Sequence, residues 1–423
     1  MVLNVVWPWL LLATLLAIVA SVCVVTFLQR RRRLEAGASS ASIPGIARIL
    51  PAGRAAGGAQ RWLLPAGACL VAACVWAAAF GLRGAQAGER FDFLRWEVQS
   101  LPAKVLYRLG RPFRADPSVD EALVTYFAAS DRSSPAASRL ENAVEATIER
   151  RIGVVLAEQG IHWPPVAIEL AASPRVLVVS PRTRIERIFD DPLRPDLTPA
   201  DVDRIERAVE QDQARSALVV RTGGVATYPA IVLEGDDYAG TVAAAAHEWT
   251  HHYLTFHPLG LAYFSSAEAR TINETVADMV GEELARMVVA RWGIPGRVGS
   301  GDRTAAAATT PAPATVAVDV DRALRTLRLE VDALLADGRV TDAESRMAAV
   351  RDELAAAGVR YRRINQAFFA WTGSYAARPD AVDPLGAQLR ALRAHSPSLE
   401  QFLVAVQRVR TRAEVERITS TPP

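Results

Sequence analysis

A chain of 423 residues has room for two or three structural units. Half of it is hydrophobic (50%), high for a purely soluble protein, while the formal net charge of only +2 gives no strongly basic surface, so nucleic acid is not an expected partner. The 3 cysteines, Cys23, Cys69 and Cys74, all lie in apolar runs near the N-terminus, so the body of the chain has no disulfide framework and no thiolate metal site, and any metal there must use histidine and carboxylate ligands.

Residues 5–28 carry no charge and are long enough to cross a bilayer as a helix. A secretory signal is the competing reading, but it would want a basic start before the apolar run, and residues 1–6 have none. Residues 63–82 are a second uncharged run of spanning length. Between them lie Arg30, Arg31, Arg32, Arg33, Arg48, Arg54 and Arg61 against Glu35 alone, which makes the connecting loop cytoplasmic by the positive-inside tendency. The expectation is an integral membrane protein anchored in the lipid bilayer by two spans. Transmembrane helices would occupy 1–29 and 62–83, a cytoplasmic loop 30–61, and the body would be extracytoplasmic.

Residues 84–160 form an expected helical juxtamembrane segment: 91–112 is apolar on one side, and 119–129 and 137–159 have helical periodicity, closed by Gly160. The pattern then changes. Residues 166–170 and 176–179 are short β-branched runs separated by Ser173-Pro174, the pattern of strands. Thr198 with Pro199 at the first turn opens a helix to about Gln213. Residues 217–221 and 225–233 are strand-like, with Gly223-Gly224 between them as a hairpin signal. Pro229 demotes the second run to an edge strand or a bulge, and such an edge at 228–233 is expected to pair with an extended peptide.

Next comes His247-Glu248-Trp249-Thr250-His251, preceded by the small apolar run 242–246 of a buried helix. Residues four apart share a helix face, so the two imidazoles can hold one Zn²⁺ and the adjacent glutamate can reach its water. Four of the chain's 6 histidines, His247, His251, His252 and His257, fall in this stretch. Ser265-Ser266-Ala267-Glu268 then has the form of a capping box and opens a helix to about Trp292, ended by Gly293 and Pro295. That helix carries Glu274 and Asp278, again four apart, beside an apolar stripe of Ile272, Val276, Val280 and Leu284.

The combination of His247-Glu248-x-x-His251 with Asn273-Glu274-Thr275-Val276-Ala277-Asp278 resembles the gluzincin metallopeptidases. Its Glu-x-x-Ala-Asp form is most similar to the membrane-associated branch that includes the prenyl-protein proteases. The resemblance covers roughly residues 247–284 and implies a class, not a substrate. It implies that His247, His251 and Glu274 bind zinc, that Glu248 is the general base, and that Asp278 orients a ligand histidine. The family's oxyanion-steadying His or Tyr has no motif to place it. His257 stands where a metzincin's third histidine would fall, but Leu254 occupies the position whose glycine turns the chain off the helix. An intramembrane metalloprotease would need the motif inside a spanning run, which Asp236, Asp237 and Glu248 interrupt. His252 points about 100° away from His251 and is expected in the core or behind the ligands.

Residues 297–317 are Gly/Ala/Thr/Pro-rich and expected as a flexible loop. The tail, 318–423, is expected to be helical: 320–336 and 342–357 make a helical hairpin across Asp337-Gly338, followed by 361–371, 385–394 and 399–408. Residues 361–371 are a core helix by default; the functional alternative folds this segment over the zinc site, with Tyr375 or Asn365 meeting the substrate. The expected fold class is therefore α+β: two N-terminal transmembrane helices, a gluzincin-like core at 161–296 with a small sheet, and a helical tail. The expected function is a membrane-anchored zinc peptidase hydrolysing peptide or protein substrates. The alternative is a catalytically idle, membrane-tethered binding module that keeps a structural zinc, against which the intact Glu248 argues.

Overall fold

The computed structural model describes residues 88–420, apart from 94, 98–99, 101–103, 105–118, 130, 133, 235–236 and 297–318. Helices α1 (Val119–Ala128) and α2 (Pro135–Glu158) lead into the first strands, β1 (Ile168–Ala171), β2 (Arg175–Pro181) and β3 (Phe189–Leu193). After α3 (Pro199–Glu210) come β4 (Arg215–Arg221), β5 (Gly224–Val225) and β6 (Ala230–Leu233). The central helices are α4 (Tyr238–Thr255), the short α5 (Pro258–Leu261) and α6 (Ala267–Trp292). The tail supplies α7 (Val320–Ala336), α8 (Val340–Ala356), α9 (Gln366–Thr372), α10 (Leu385–His395), α11 (Leu399–Val406) and α12 (Arg412–Ser420).

The strands form two three-stranded sheets, not one. In the first, β6 lies between β1, which it meets in parallel, and β5, which it meets antiparallel with Gly224 opposite Val232. The second is antiparallel throughout, in the order β3-β2-β4. Its faces alternate as a pleat requires: Leu177, Val179, Ala217 and Val219 pack on α3, and Val178 and Leu218 pack on α7, α8 and α9. The largest core joins α2, the first sheet, α4, α6 and the last three helices, with Trp249, Ile272 and Val280 essentially inaccessible.

Local signals placed most helices. Thr198 accepts from Asp201 N and Asp201 returns the bond, so α3 starts on a complete capping box. Helix α6 starts one residue later than the sequence suggests. Ser266 caps it alone, while Glu268 accepts from Arg412 N, and Gly293 at φ 73° ends it.

The strand expectations need more correction. β4 is fully taken up by β2, with Arg175 opposite Arg221 and Pro181 opposite Arg215, so no hairpin forms across Gly223-Gly224. The hairpin turn lies at 226–229, between β5 and β6, and includes the cis Tyr228-Pro229 bond. Pro229 precedes the strand rather than interrupting it. β6 is therefore central and buried, and the edges are β1 and β5. β3, Phe-Asp-Asp-Pro-Leu, was not legible because its pairing to β2 overrides a sequence poor in strand formers.

The expected fold class and localisation are also corrected. The described residues form a mixed body of helices and two small sheets, and no helix among them is long and apolar enough to cross a membrane. The longest, α2 and α6, have the length but not the polarity: α2 carries Glu141, Glu145, Glu149, Arg150 and Arg151, and α6 carries eight charged residues from Glu268 to Arg291. The two runs read as spans, 5–28 and 63–82, lie outside the described residues, as do the loops at 30–61 and 297–317.

Candidate metal centre

The centre is built where α4 crosses α6. Asp237 caps α4 by accepting from Gly240 N at 2.7 Å, and the small side chains of Ala245 and Ala246 let the helix sink into the core. α6 can approach because residue 281 is glycine. A Cβ there would stand 2.8 Å from the Ala243 carbonyl oxygen and 3.2 Å from His247 Cβ, so any larger side chain would drive the helices apart at the first histidine. Glu274 and Asp278, on the face of α6 turned to α4, are thereby brought to His247 and His251.

His247 Nε2 lies 3.0 Å from His251 Nε2. Glu274 Oε2 lies 3.5 Å from the first and 3.6 Å from the second. A tetrahedral ion with bonds of about 2.0–2.1 Å wants its ligand atoms about 3.3 Å apart, and the three observed edges bracket that spacing. His247, His251 and Glu274 together can hold a metal ion. Both imidazoles are gripped from behind. His247 Nδ1 donates to Asp278 Oδ1 at 3.0 Å, and His251 Nδ1 donates to Asn273 Oδ1 at 2.7 Å, which turns each Nε2 lone pair toward the common point.

The electrostatics favour positive charge there. Burial acts to strip the proton from His247, but hydrogen bonds to Asp278 and Glu274 outweigh it and hold its pKa well above the usual value. Burial acts to neutralise Glu274, but His251 and His247 outweigh it and hold that carboxyl well below the usual range. Glu248 differs. Burial raises its pKa, and the neighbouring histidines only partly offset the effect. Its carboxylate lies against β5, where a Cβ on Gly224 would come 2.5 Å from Oε1, so Gly224 makes room for it.

Two tyrosines flank the triad. Tyr263, from the turn after α5, donates to Glu274 Oε1 and stands edge-on to His251 with ring centroids 5.8 Å apart. Tyr375, just after α9, lies 6.5 Å from the His247 ring, and the turn behind it is tied to α6 by Ala376 N donating to Thr275 Oγ1 at 3.1 Å. Burial and the charge of Glu274 push both phenols well above their usual pKa, so each is a neutral donor.

The other sequence candidates separate. Asn365 caps α9 through Phe368 N and donates to Ala217 O, so it serves the second sheet and not the site. His257 stands at the N-terminus of α5, outside the group that can hold a metal, with its ring 4.9 Å from that of Tyr253. His252 is buried, donates from Nε2 to Thr227 O at 2.6 Å, and has its pKa lowered to about 4 by desolvation. Asn273, Tyr263 and Tyr375 complete the site. Tyr375 was one of the two residues the sequence offered on the substrate side; of the other two, only Asn273 had a local signal, its place beside Glu274 on the helix that carries the acidic pair. The edge expected to meet a peptide is also displaced: β5, rather than 228–233, lies against Glu248.

No family model matches the chain, and no curated protein and no solved structure matches it either.

Proposed function

We propose that the chain is a zinc-dependent peptidase whose centre is His247, His251 and Glu274, with Glu248 as general base and Asp278 and Asn273 orienting the two histidines. The observation that carries this reading is the triad itself: three donor atoms 3.0–3.6 Å apart, two of them aimed by hydrogen bonds on the far side of their rings. Among the described residues this group has three donors, which suits an open catalytic site better than a closed structural one.

Zinc, when bound, would supply Lewis-acid polarisation of a carbonyl and a water of lowered pKa. The chain supplies the rest. Glu248, its pKa raised by burial, takes the proton of the attacking water and hands it to the leaving amine. Tyr375, neutral beside His247, is the donor available to the oxygen that gains charge as the carbonyl becomes tetrahedral, while the single O–H of Tyr263 is held by Glu274. Glu248 is only 5% exposed and lies against β5, which keeps bulk water from the base. An idle binding module would give a buried carboxylate at 248 no task.

The test is cleavage of a mixed-sequence peptide library by the purified full chain. Activity should vanish on chelation and return with stoichiometric Zn²⁺. A chain that binds zinc at the triad and cleaves nothing would favour the idle module.

A further inference from the structure

Two arginines beside the centre have no role in holding the metal or moving the proton. Arg187 precedes β3 and Arg270 lies in the first turns of α6, 83 positions apart by their numbers. Asp190 bridges them, one oxygen to each: Arg187 Nη2 to Oδ2 at 2.9 Å and Arg270 Nη1 to Oδ1 at 3.5 Å. The guanidinium of Arg187 also lies over Trp371 at 4.8 Å, and that of Arg270 over Tyr263 at 5.6 Å. Both side chains are largely buried, 10% and 16% exposed, and on both the Nε–H is buried with no hydrogen-bond partner.

Their place relative to the metal ligands is fixed by the tyrosines. Tyr263, under Arg270, donates to Glu274, and Tyr375, which packs on Trp371 at 5.7 Å, stands beside His247. The field of Arg187 reaches both phenols. Two cations share one aspartate, so the pair keeps a net positive charge at the wall of an otherwise acidic centre. A buried donor left unpaired is costly, and each guanidinium presents its N–H groups as a fork that suits a planar anion. Asp190, which ties the two guanidiniums together, is itself 35% exposed, so a competing carboxylate can approach the pair from the side where Asp190 binds it.

We propose that Arg187 and Arg270 form a carboxylate clamp that anchors an acidic group of the substrate beside the metal ligands. The inference rests on the peptidase reading for what the substrate is, but not for the clamp. The carboxylate is either the chain terminus, which makes the enzyme trim from the C-terminal end, or an Asp/Glu side chain near the scissile bond.

Binding separates these outcomes from catalysis. Three N-acetylated tripeptides of otherwise uncharged residues are titrated calorimetrically into the full-length Glu248→Gln protein loaded with Zn²⁺ and, in parallel, stripped of metal. One has a free C-terminus, one is amidated, and one is amidated but carries a single Glu. At least one carboxylate form should bind about 10-fold tighter than the uncharged amide in both preparations, the size expected for a charge-assisted hydrogen bond. The tighter of the two identifies the source. Arg187→Gln and Arg270→Gln should each bring acid and amide within about 2-fold, and Asp190→Asn, which frees the fork, should increase the preference. Equal binding of all three peptides, or no binding of any, overturns the clamp. Acid preference in a wild-type protein that cleaves no peptide keeps the clamp and removes the peptidase; cleavage without acid preference does the reverse.

Discussion

Asn273 Oδ1 accepts from His251 Nδ1 at 2.7 Å, and this bond fixes which nitrogen of His251 is free to bind a metal. Asn273 precedes Glu274, so one helical turn of α6 both offers a ligand and aims another on α4. Asn273→Ala should leave the fold intact and weaken zinc by about 10- to 100-fold, the usual effect of losing such a support. Asp278→Ala should act comparably through His247, to which it bonds at 3.0 Å. Competition titration against a zinc chelator reads both; unchanged affinity in both variants would mean that the imidazoles need no orientation.

The third ligand separates two metallopeptidase classes. Glu274 Oε2 stands 3.5 Å and 3.6 Å from the two Nε2 atoms, while the His257 ring packs on Tyr253. Glu274→Ala should lose stoichiometric zinc, and His257→Ala should keep it. The opposite result, by elemental analysis, would move the third ligand to His257.

How far the sequence reached follows from distance along the chain. The pairing of His247 with His251 was legible because four-residue spacing is a helix property, and the same rule put Glu274 and Asp278 on one face of α6; the role of Glu248 as base stands as a proposal. Tyr375 was only one of two options, since nothing local distinguishes it from Asn365. Tyr263, Arg187, Asp190 and Arg270 carried no signal: they come together when β3 and the turn after α5 meet over α6, a tertiary event. The Gly223-Gly224 pair misled because a hairpin signal says nothing of which sheet each strand joins.

Gly281 marks the close crossing. Gly281→Ala places a methyl 2.8 Å from a backbone oxygen, which cannot swing aside. It should cost about 1–3 kcal/mol in denaturant unfolding, as overpacking does, and weaken zinc at the same time. A stability loss with unchanged zinc affinity would show that the crossing does not set the ligand geometry.

Two buried titratable groups grip the dipeptide Thr227-Tyr228 with opposite pH dependence. His252, at about 4 rather than 6.5, refuses a proton that the unfolded chain accepts, so its contribution is lost as pH falls from about 6.5 to 4. Glu97, pushed up to about 7 by burial, holds a proton that the unfolded chain releases, so its contribution is lost as pH rises from 4.5 to 7. Each is on the order of 3 kcal/mol. Relative to wild type, His252→Gln should lose stability less steeply toward acid, and Glu97→Gln less steeply toward neutrality. Chemical unfolding at pH 4.5, 5.5 and 6.5 reads the difference; parallel curves for all three proteins would contradict both assignments.

The most direct test of the account compares wild type with Glu248→Gln at equal, measured zinc content on a peptide the wild type cleaves. The amide should retain the fold and about one zinc per chain but lower kcat by about 10²–10⁴-fold, since it cannot accept the water's proton. Turnover within a few-fold of wild type, with zinc in place, would contradict the assignment of Glu248 as the base and place the chemistry elsewhere in the chain.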